Sequence, residues 1–233
     1  MNPKRLVLLV EGESDREAAF VLLKRLLTEQ EAFDAISLDE HPLRIGGYSQ
    51  ISRGGRDFAE WRRQLGNAAK RKNVGGCLLL LDGDSKTTAP GQPFCAMHAG
   101  RRLAEAAREV GAGTMFSAAI VFACMEFESW LIAGAESLVG KPFPDGRTGL
   151  PRAVQSLPPN PEVAPRDAKG WLRQNMPNGY KETVDQAELT GLVDLGAIRR
   201  KEMRSFRRLE AAVRELVEAI RLGQPIVTPA SKC

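Results

Sequence analysis

Short apolar runs mark the strands that we predict in the first half of the chain. The runs at residues 5–11, 77–82 and 117–124 are rich in Leu, Val, Ile or Ala and are too short for buried helices. Residues 33–46 alternate only partly between apolar and polar positions and contain Pro42, which indicates a strand at a sheet edge. Three buried strands and one edge strand are therefore expected.

Amphipathic segments lie between these runs and predict helices. Ser14 is the expected N-cap of the first helix, because Glu17 follows three residues later as in a capping box. Apolar positions at helical spacing predict helices at residues 15–30, 58–72 and 97–111 and around Trp130. Strands that alternate with helices indicate an α/β fold, a Rossmann-like three-layer sandwich with a central, mostly parallel sheet.

The composition and periodicity of the sequence change after about residue 135. Residues 141–166 are rich in proline and contain glycine, and the long basic stretch 199–222 has helical periodicity. We therefore expect an α/β domain at residues 1–135. Residues 136–233 are expected to form a Pro-rich connector and a small, mostly helical C-terminal region packed on that domain.

Carboxylates stand at the ends of two of the predicted buried strands. Glu11 follows the first run, and Asp82-Gly83-Asp84 ends the second. If the two strands are neighbours in a parallel sheet, their carboxyl ends share one edge, where α/β proteins bind ligands. Three carboxylates this close repel one another unless a proton or a cation intervenes, and oxygen ligands suit Mg²⁺ or Mn²⁺. The alternative is a helix-capping glutamate beside an ordinary Asp-Gly turn.

Other candidate site residues follow from position alone. Asp15 lies four residues after Glu11 and could face the same pocket, or could simply favour the start of a helix. Glu126 and Glu128 follow the strand at 117–124 and could bind a second metal ion, with helix-start acidity as the alternative. Lys181 follows an Asn-Gly turn and could stabilise charge on a cleaved phosphodiester, although the sequence alone favours a solvated lysine at this position.

Charge, cysteine spacing and hydropathy limit the classes of function that are compatible with the sequence. The chain has 233 residues, a formal charge of +4 and a pI near 9.0, which is compatible with a polyanionic partner. Cysteines show no CxxC spacing, so a zinc module is not indicated and a reduced, cytoplasmic protein is expected. The sequence has no apolar stretch approaching the roughly 20 residues of a membrane span. The predicted contacts to nucleic acid are arginines: Arg53, Arg56, Arg62, Arg63, Arg204 and Arg207.

The strand-end motifs resemble a known signature. LVEGESD followed by LLLLDGDS is similar to the Toprim pattern, with Glu closing one strand and DxD closing a later one, and most similar to its OLD-like branch. The stretches FACMEFESWLIAG, NGYKETVDQAEL and RSFRRLEAAVREL extend the resemblance to small standalone Toprim-like proteins of the DUF4276 type.

The resemblance implies a Mg²⁺- or Mn²⁺-dependent phosphotransfer site. Its metal ligands would be Glu11, Asp82 and Asp84, with Asp15, Glu126 and Glu128 as further candidates. Lys181 would be catalytic together with the first three. The expected activity is an endonuclease acting on nucleic acid, with DNA preferred over RNA, in a phage-defence or repair system.

One departure from the family pattern limits this expectation, and two alternatives remain. OLD nucleases carry an ATPase on the same chain, whereas this sequence has no GxxxxGK[ST], so any ATPase would be a separate partner protein. One alternative is a non-catalytic subunit that binds nucleic acid or docks on an ATPase, with a vestigial acidic site. Another is a nucleotide phosphohydrolase, although its DxD would normally follow the first strand.

Overall fold

A central sheet of parallel strands organises the part of the chain that the structure, a computed structural model, describes: residues 2–52, 58–89, 91–151 and 157–230. The strands in chain order are β1 (Lys4–Val10), β2 (Ile36–Leu38), β3 (Leu43–Arg44), β4 (Val74–Asp82), β5 (Thr87–Ala89), β6 (Gln92–Pro93), β7 (Ser117–Ala123) and β8 (Val227–Thr228). The order in the sheet is β2-β1-β4-β7-β8, with β3 also paired to β1. β5 and β6 form a separate antiparallel pair.

The helices in chain order are α1 (Glu13–Glu29), α2 (Tyr48–Ile51), α3 (Ala59–Ala69), α4 (Ala96–Arg108), α5 (Glu128–Ala133), α6 (Ala168–Asn175), α7 (Glu182–Leu192), α8 (Leu195–Arg200) and α9 (Arg204–Leu222). They cover both faces of the sheet. Side chains of α1 and α5 to α9 belong to one apolar core, and side chains of α2, α3 and α4 belong to the other. The predicted three-layer α/β sandwich is confirmed.

The apolar runs form strands because both of their faces are buried. In β1, Leu6 and Leu8 enter the core on one side of the sheet, and Val7 and Leu9 enter the core on the other. Successive strand side chains point to opposite faces, so a helix layer on each face requires an unbroken apolar run. The same alternation in β4 places Leu78 and Leu79 in different cores.

The predicted edge strand at residues 33–46 is divided into two short strands. β2 and β3 both pair in parallel with β1, β2 along its first half and β3 at its end. Pro42 lies between them, where the ladder needs no N–H from that residue. The segment is therefore at the sheet edge, as predicted, but not as one strand.

The predicted N-cap of the first helix is wrong. α1 begins at Glu13 with Gly12 as its N-cap, so Ser14 already lies inside the first turn. The Gly12 N–H donates to Asp15 Oδ2 at 2.8 Å, which is the reciprocal half of a capping box. The carboxylate at the third helical position therefore fixes the turn out of β1.

The C-terminal region is built into the sandwich. α7 packs on α1, and α9 packs on β7. β8 then pairs in parallel with β7 and extends the sheet, a strand that the sequence pattern did not indicate. Two residues are too few to show a periodicity, so this strand is defined only by its tertiary pairing.

No helix in the described ranges combines the length and the apolar character needed to cross a lipid bilayer. Cys77, Cys95 and Cys124 are free thiols.

Candidate functional site

The parallel register brings the predicted carboxylates to one edge of the sheet. Val10 at the end of β1 lies opposite Leu80, and Asp82 at the end of β4 lies opposite Ala123. Glu11 directly follows β1, so its side chain reaches the end of β4, where the Asp82 N–H donates to Glu11 Oε2 at 3.3 Å. The expected meeting of the first two strand ends is therefore present.

Asp82 connects this edge to the next strand. Its Oδ1 accepts a hydrogen bond of 2.9 Å from the N–H of Phe127, in the turn between β7 and α5. The neighbouring Gly83 N–H donates to the carbonyls of Ala123 and Met125, at 2.7 and 2.8 Å. A Cβ at Gly83 would lie only 2.8 Å from the Ala123 oxygen, so this close approach requires glycine.

A second glycine makes room for Glu11. A Cβ added to Gly47, at the N-terminus of α2, would lie 2.3 Å from Glu11 Oε1. This distance is far below van der Waals contact, so a side chain at Gly47 would displace the carboxylate. Gly47 therefore forms one wall of the Glu11 site.

Glu128 is the most deeply buried carboxylate of the group, with 0% of its surface exposed. Its Oε1 accepts hydrogen bonds from the Tyr180 hydroxyl at 2.8 Å and from Gln186 Nε2 at 3.2 Å. Gln186 Nε2 also donates to Asp15 Oδ1, at 3.2 Å. Glu128 Oε2 and Gln186 Oε1 are buried and have no hydrogen-bond partner among the described residues. This network joins the start of α5 to α7 and α1.

Lys169 is a cation that sequence analysis did not anticipate at this site. It lies in the first turn of α6, where Glu126 Oε2 accepts from the N–H groups of Ala168 and Lys169 at 3.1 and 3.3 Å. Its Nζ lies 3.3 Å from Glu182 Oε2, and 26% of its side chain is exposed. Glu126 therefore holds the start of α6, and with it Lys169, beside the acidic edge.

Burial and neighbouring charges shift the pKa values of the carboxylates at this edge. Burial raises the pKa of Glu11, and Asp84 and Asp15 add repulsion, against the hydrogen bond from the Asp82 N–H. Burial and the charges of Asp15 and Glu128 place the pKa of Asp82 well above its ordinary range.

Burial and neighbouring charges also shift the pKa values of Glu128, Glu126 and Lys169. Burial raises the pKa of Glu128 to about 7, although Lys169 and the Tyr180 hydrogen bond oppose the rise. Burial also raises the pKa of Glu126. Burial alone would lower the pKa of Lys169, but the attraction of Glu128, Asp82 and Glu182 raises it instead, so the lysine is charged.

Two of the predicted residues lie at the margin of this group. Asp84 is exposed, yet its charge acts on both Glu11 and Glu126. Lys181 is the N-cap of α7, and its backbone N–H donates to Asp185 at 2.7 Å. Its side chain is exposed and forms no ion pair within the described ranges, so Lys169 is the lysine beside the carboxylates.

The predicted nucleic-acid contacts are scattered over the molecule. Arg53 and Arg56 lie outside the described residues. Arg62 and Arg63 lie on α3 and pair with Glu109 and Glu60, respectively. These two arginines are therefore at least partly neutralised by neighbouring carboxylates.

Arg204 and Arg207 lie on α9, in the opposite helix layer, and both are exposed. The charge of Arg204 acts on Cys124, directly after β7, which places the start of α9 near the acidic edge. Among the predicted arginines in the described ranges, Arg204 is therefore the one that the structure places toward this edge of the sheet.

Sequence reasoning missed Lys169, Tyr180 and Gln186. Lys169 follows the Pro-rich segment, where no periodicity or motif singles it out. Tyr180 and Gln186 both lie within NGYKETVDQAEL, one of the stretches behind the family resemblance, so that stretch carried a usable signal. Within that stretch, the sequence analysis predicted a role for Lys181, the residue after Tyr180, instead.

The chemistry available is that of buried acids with one lysine. In the described ranges, no three His, Cys, Asp or Glu side chains are arranged as a ready metal-binding group. Glu11 Oε2 and Asp82 Oδ1 accept backbone N–H groups, and each carboxylate keeps a second oxygen that could bind a cation. Their oxygen donors nevertheless match the preference of Mg²⁺ or Mn²⁺.

Comparison with known proteins gives one match. The family model described as "Domain of unknown function (DUF4276)" matches residues 10–214. No curated protein and no solved structure matches the chain.

Proposed function

Because the chain belongs to the DUF4276 family, which is described only as a domain of unknown function, we propose its function from the site: a Toprim-type, metal-dependent nuclease that hydrolyses nucleic-acid phosphodiester bonds. The observation that carries the proposal is the meeting of Glu11 and Asp82 at the carboxyl edge of neighbouring parallel strands. Burial, together with the charges of neighbouring acids, raises the pKa of both. A cation would relieve this repulsion, which is a reason for such acids to be placed together.

The residues proposed to hold Mg²⁺ or Mn²⁺ are Glu11, Asp82 and Asp84. A bound divalent ion would activate a water molecule and polarise the phosphate. Gly47 and the Asp82 N–H hold the Glu11 carboxylate in place, and the Phe127 N–H holds Asp82. The chain thus supplies oriented oxygen donors.

The substrate proposed is DNA in preference to RNA. Arg204 lies near the acidic edge and Arg207 follows it on α9; both are exposed and would contact phosphates. We propose that an ATPase on a separate partner protein activates cleavage. Such control fits a nuclease in a defence or repair system, since unregulated cleavage would damage the host.

The test is single-turnover cleavage of DNA in Mn²⁺ by wild type and Glu11→Gln. The variant removes the charge and keeps the shape, so the rate should fall at least about two orders of magnitude, as for loss of one key electrostatic group. The matched control is Glu13→Gln, an exposed acid two residues away that pairs with Arg16. This control should cut at the wild-type rate, and circular dichroism should show all three proteins folded.

A second candidate is a non-catalytic subunit that binds nucleic acid or an ATPase. Lys169 favours it, because a built-in cation already offsets part of the acidic charge. If Glu11→Gln cuts as fast as wild type, with contaminating nuclease excluded, the nuclease proposal is wrong and the non-catalytic subunit replaces it.

A further inference from the structure

Two exposed cations that the sequence analysis did not predict as nucleic-acid contacts lie at the carboxyl edge of the sheet. Arg44 is the last residue of β3, and Lys86 lies two residues beyond Asp84. Both side chains are exposed, and within the described ranges neither forms a hydrogen bond or an ion pair. Arg62 and Arg63 differ in this respect, because each pairs with a glutamate. The charges of Arg44 and Lys86 are therefore available to a ligand.

The backbone of Arg44 is fixed directly beside Glu11. Arg44 lies opposite Val10 in the ladder between β3 and β1, and the Ile45 N–H donates to the Val10 carbonyl at 2.9 Å. The next N–H, that of Gly46, donates to the Glu11 carbonyl at 3.1 Å. Since β4 pairs with the other side of β1, Arg44 and the acids of β4 lie on opposite sides of Glu11.

The backbone of Lys86 is fixed on the β4 side of the same edge. Thr88, two residues later, is 3% exposed, and its carbonyl accepts a hydrogen bond of 2.9 Å from the Tyr48 hydroxyl. This bond anchors the antiparallel pair of β5 and β6 next to Gly47, the wall of the Glu11 site. Lys86 therefore lies between two fixed points, the end of β4 and this anchor.

Arg204 lies beyond the end of β7, on the far side of the acids from Arg44. On α5, which follows β7, Trp130 Nε1 donates to the Ser205 hydroxyl at 2.8 Å and so ties the start of α9 to this part of the sheet. The Arg204 N–H donates to Glu162 Oε2 at 3.0 Å, while the side chain is exposed. Exposed cations therefore flank the carboxylates in the direction across the strands.

We propose that a DNA strand crosses the strand ends from Arg44 at β3 to Arg204 at α9, with Arg44 and Lys86 as phosphate contacts. This inference rests on the proposed function and assigns the path of its substrate. Neighbouring strands are about 4.8 Å apart, so the three steps from β3 to β7 span roughly 14 Å. That distance corresponds to about four phosphates of one strand, at roughly 3.4 Å each along B-DNA.

The cations have a physical role in this path. A polyanion that approaches Glu11 and Asp82 meets repulsion from the carboxylates, and positive charge on both sides lowers the cost of that approach. Phosphate contacts fix the position and register of DNA without reading its sequence. Arg44 and Lys86 would therefore place a phosphate over the acids in DNA of any sequence.

The experiment measures the affinity of the full chain for a DNA duplex by fluorescence anisotropy in EDTA, at a series of salt concentrations. EDTA removes divalent ions, so the result depends neither on the metal site nor on cleavage. The double variant Arg44→Ala with Lys86→Ala should bind at least about tenfold more weakly at low salt, because two charge-assisted contacts are lost. The slope of log K against log salt should become smaller by nearly two, about 0.9 for each contact.

Matched controls lie further along two helices that begin at this edge. Lys24 on α1 and Arg214 on α9 are exposed and form no ion pair within the described ranges. At 1.5 Å per residue, each lies roughly 15 Å along its helix from the edge. Lys24→Ala with Arg214→Ala should therefore keep the wild-type affinity and slope. Arg44→Lys with Lys86→Arg retains both charges and should also keep the slope.

The possible outcomes separate this path from the proposed function. Unchanged binding by the alanine variant of Arg44 and Lys86, or an equal loss in either control variant, would overturn the path and leave the nuclease proposal standing. A wild type that binds no DNA would overturn both. If the alanine variant loses affinity and slope as expected but Glu11→Gln cuts as fast as wild type, the path stands and the nuclease proposal fails.

Discussion

Replacing Glu128 by glutamine should stabilise the metal-free protein at alkaline pH. The Glu128 pKa rises from an ordinary 4.5 to about 7, chiefly because the side chain is buried. At about 1.4 kcal/mol per pKa unit, ionised Glu128 costs roughly 3 kcal/mol of folding free energy above pH 7. Tyr180 and Gln186 can donate to the amide oxygen of the new side chain as they do to Oε1, so these bonds survive.

The pH dependence has a definite sign. Between pH 4.5 and 7, the folded state binds more protons at Glu128 than the unfolded state does, so stability falls as pH rises through this window. Below the window both states are protonated and the cost vanishes. The stability of Glu128→Gln relative to wild type should therefore increase by roughly 2–3 kcal/mol from pH 5 to pH 8. A new amide N–H without a partner would offset about 1–3 kcal/mol of stability at both pH values, so this pH difference is the quantity to measure.

Chemical denaturation in EDTA at the two pH values measures the free energy of unfolding directly. In thermal melts, roughly 3 kcal/mol corresponds to about 6–12 °C for a chain of this size. The matched control is Glu105→Gln on α4, an exposed glutamate without an ion pair within the described ranges. It should show no such pH dependence. If Glu128→Gln differs from wild type by the same amount at pH 5 and pH 8, the argument from burial is wrong.

Two further predictions concern Gly47 and the arginines. Gly47→Ala should push the Glu11 carboxylate aside, since the new Cβ would lie 2.3 Å from Oε1, and should weaken Mn²⁺ binding at least about tenfold, a difference of about 1.4 kcal/mol; unchanged calorimetric affinity would mean that Glu11 is not a ligand. Replacing Arg204 and Arg207 by alanine should lower DNA affinity and reduce the slope of log K against log salt by about two, nearly one for each lost phosphate contact. An unchanged slope in fluorescence anisotropy titrations would remove α9 from the DNA interface.

The elements best predicted from the sequence were those whose pattern follows directly from burial. Runs buried on both sides, such as β4 with Leu78 and Leu79, have to be continuous and apolar, so their position and the parallel sheet could be read directly. The meeting of Glu11 and Asp82 followed from the same reasoning, because neighbouring parallel strands share one edge.

The rest depended on tertiary contacts that leave no local pattern. Lys169 reaches the site because Glu126 accepts the first N–H groups of α6, a contact across 42 and 43 positions of the chain. From the sequence alone, Gly47 is an ordinary loop glycine, because its close contact with the Glu11 carboxylate exists only in the folded chain. The N-cap of α1 was misassigned because Ser14 with Glu17 has the same spacing as Gly12 with Asp15, and only the backbone geometry distinguishes the two pairs.

The late arrival of α9 and β8 has a consequence for synthesis on the ribosome. The inner strands are complete once β7 has been made, but β7 then lacks both its neighbour in the sheet and the helix that covers it. About 100 residues separate β7 from the end of α9, which takes roughly 5–20 s at ordinary elongation rates. During that interval the nascent chain exposes an apolar strand edge. Factors that shield nascent chains should therefore engage this protein after β7 has been made, and the synthesis of α9 and β8 should end that dependence.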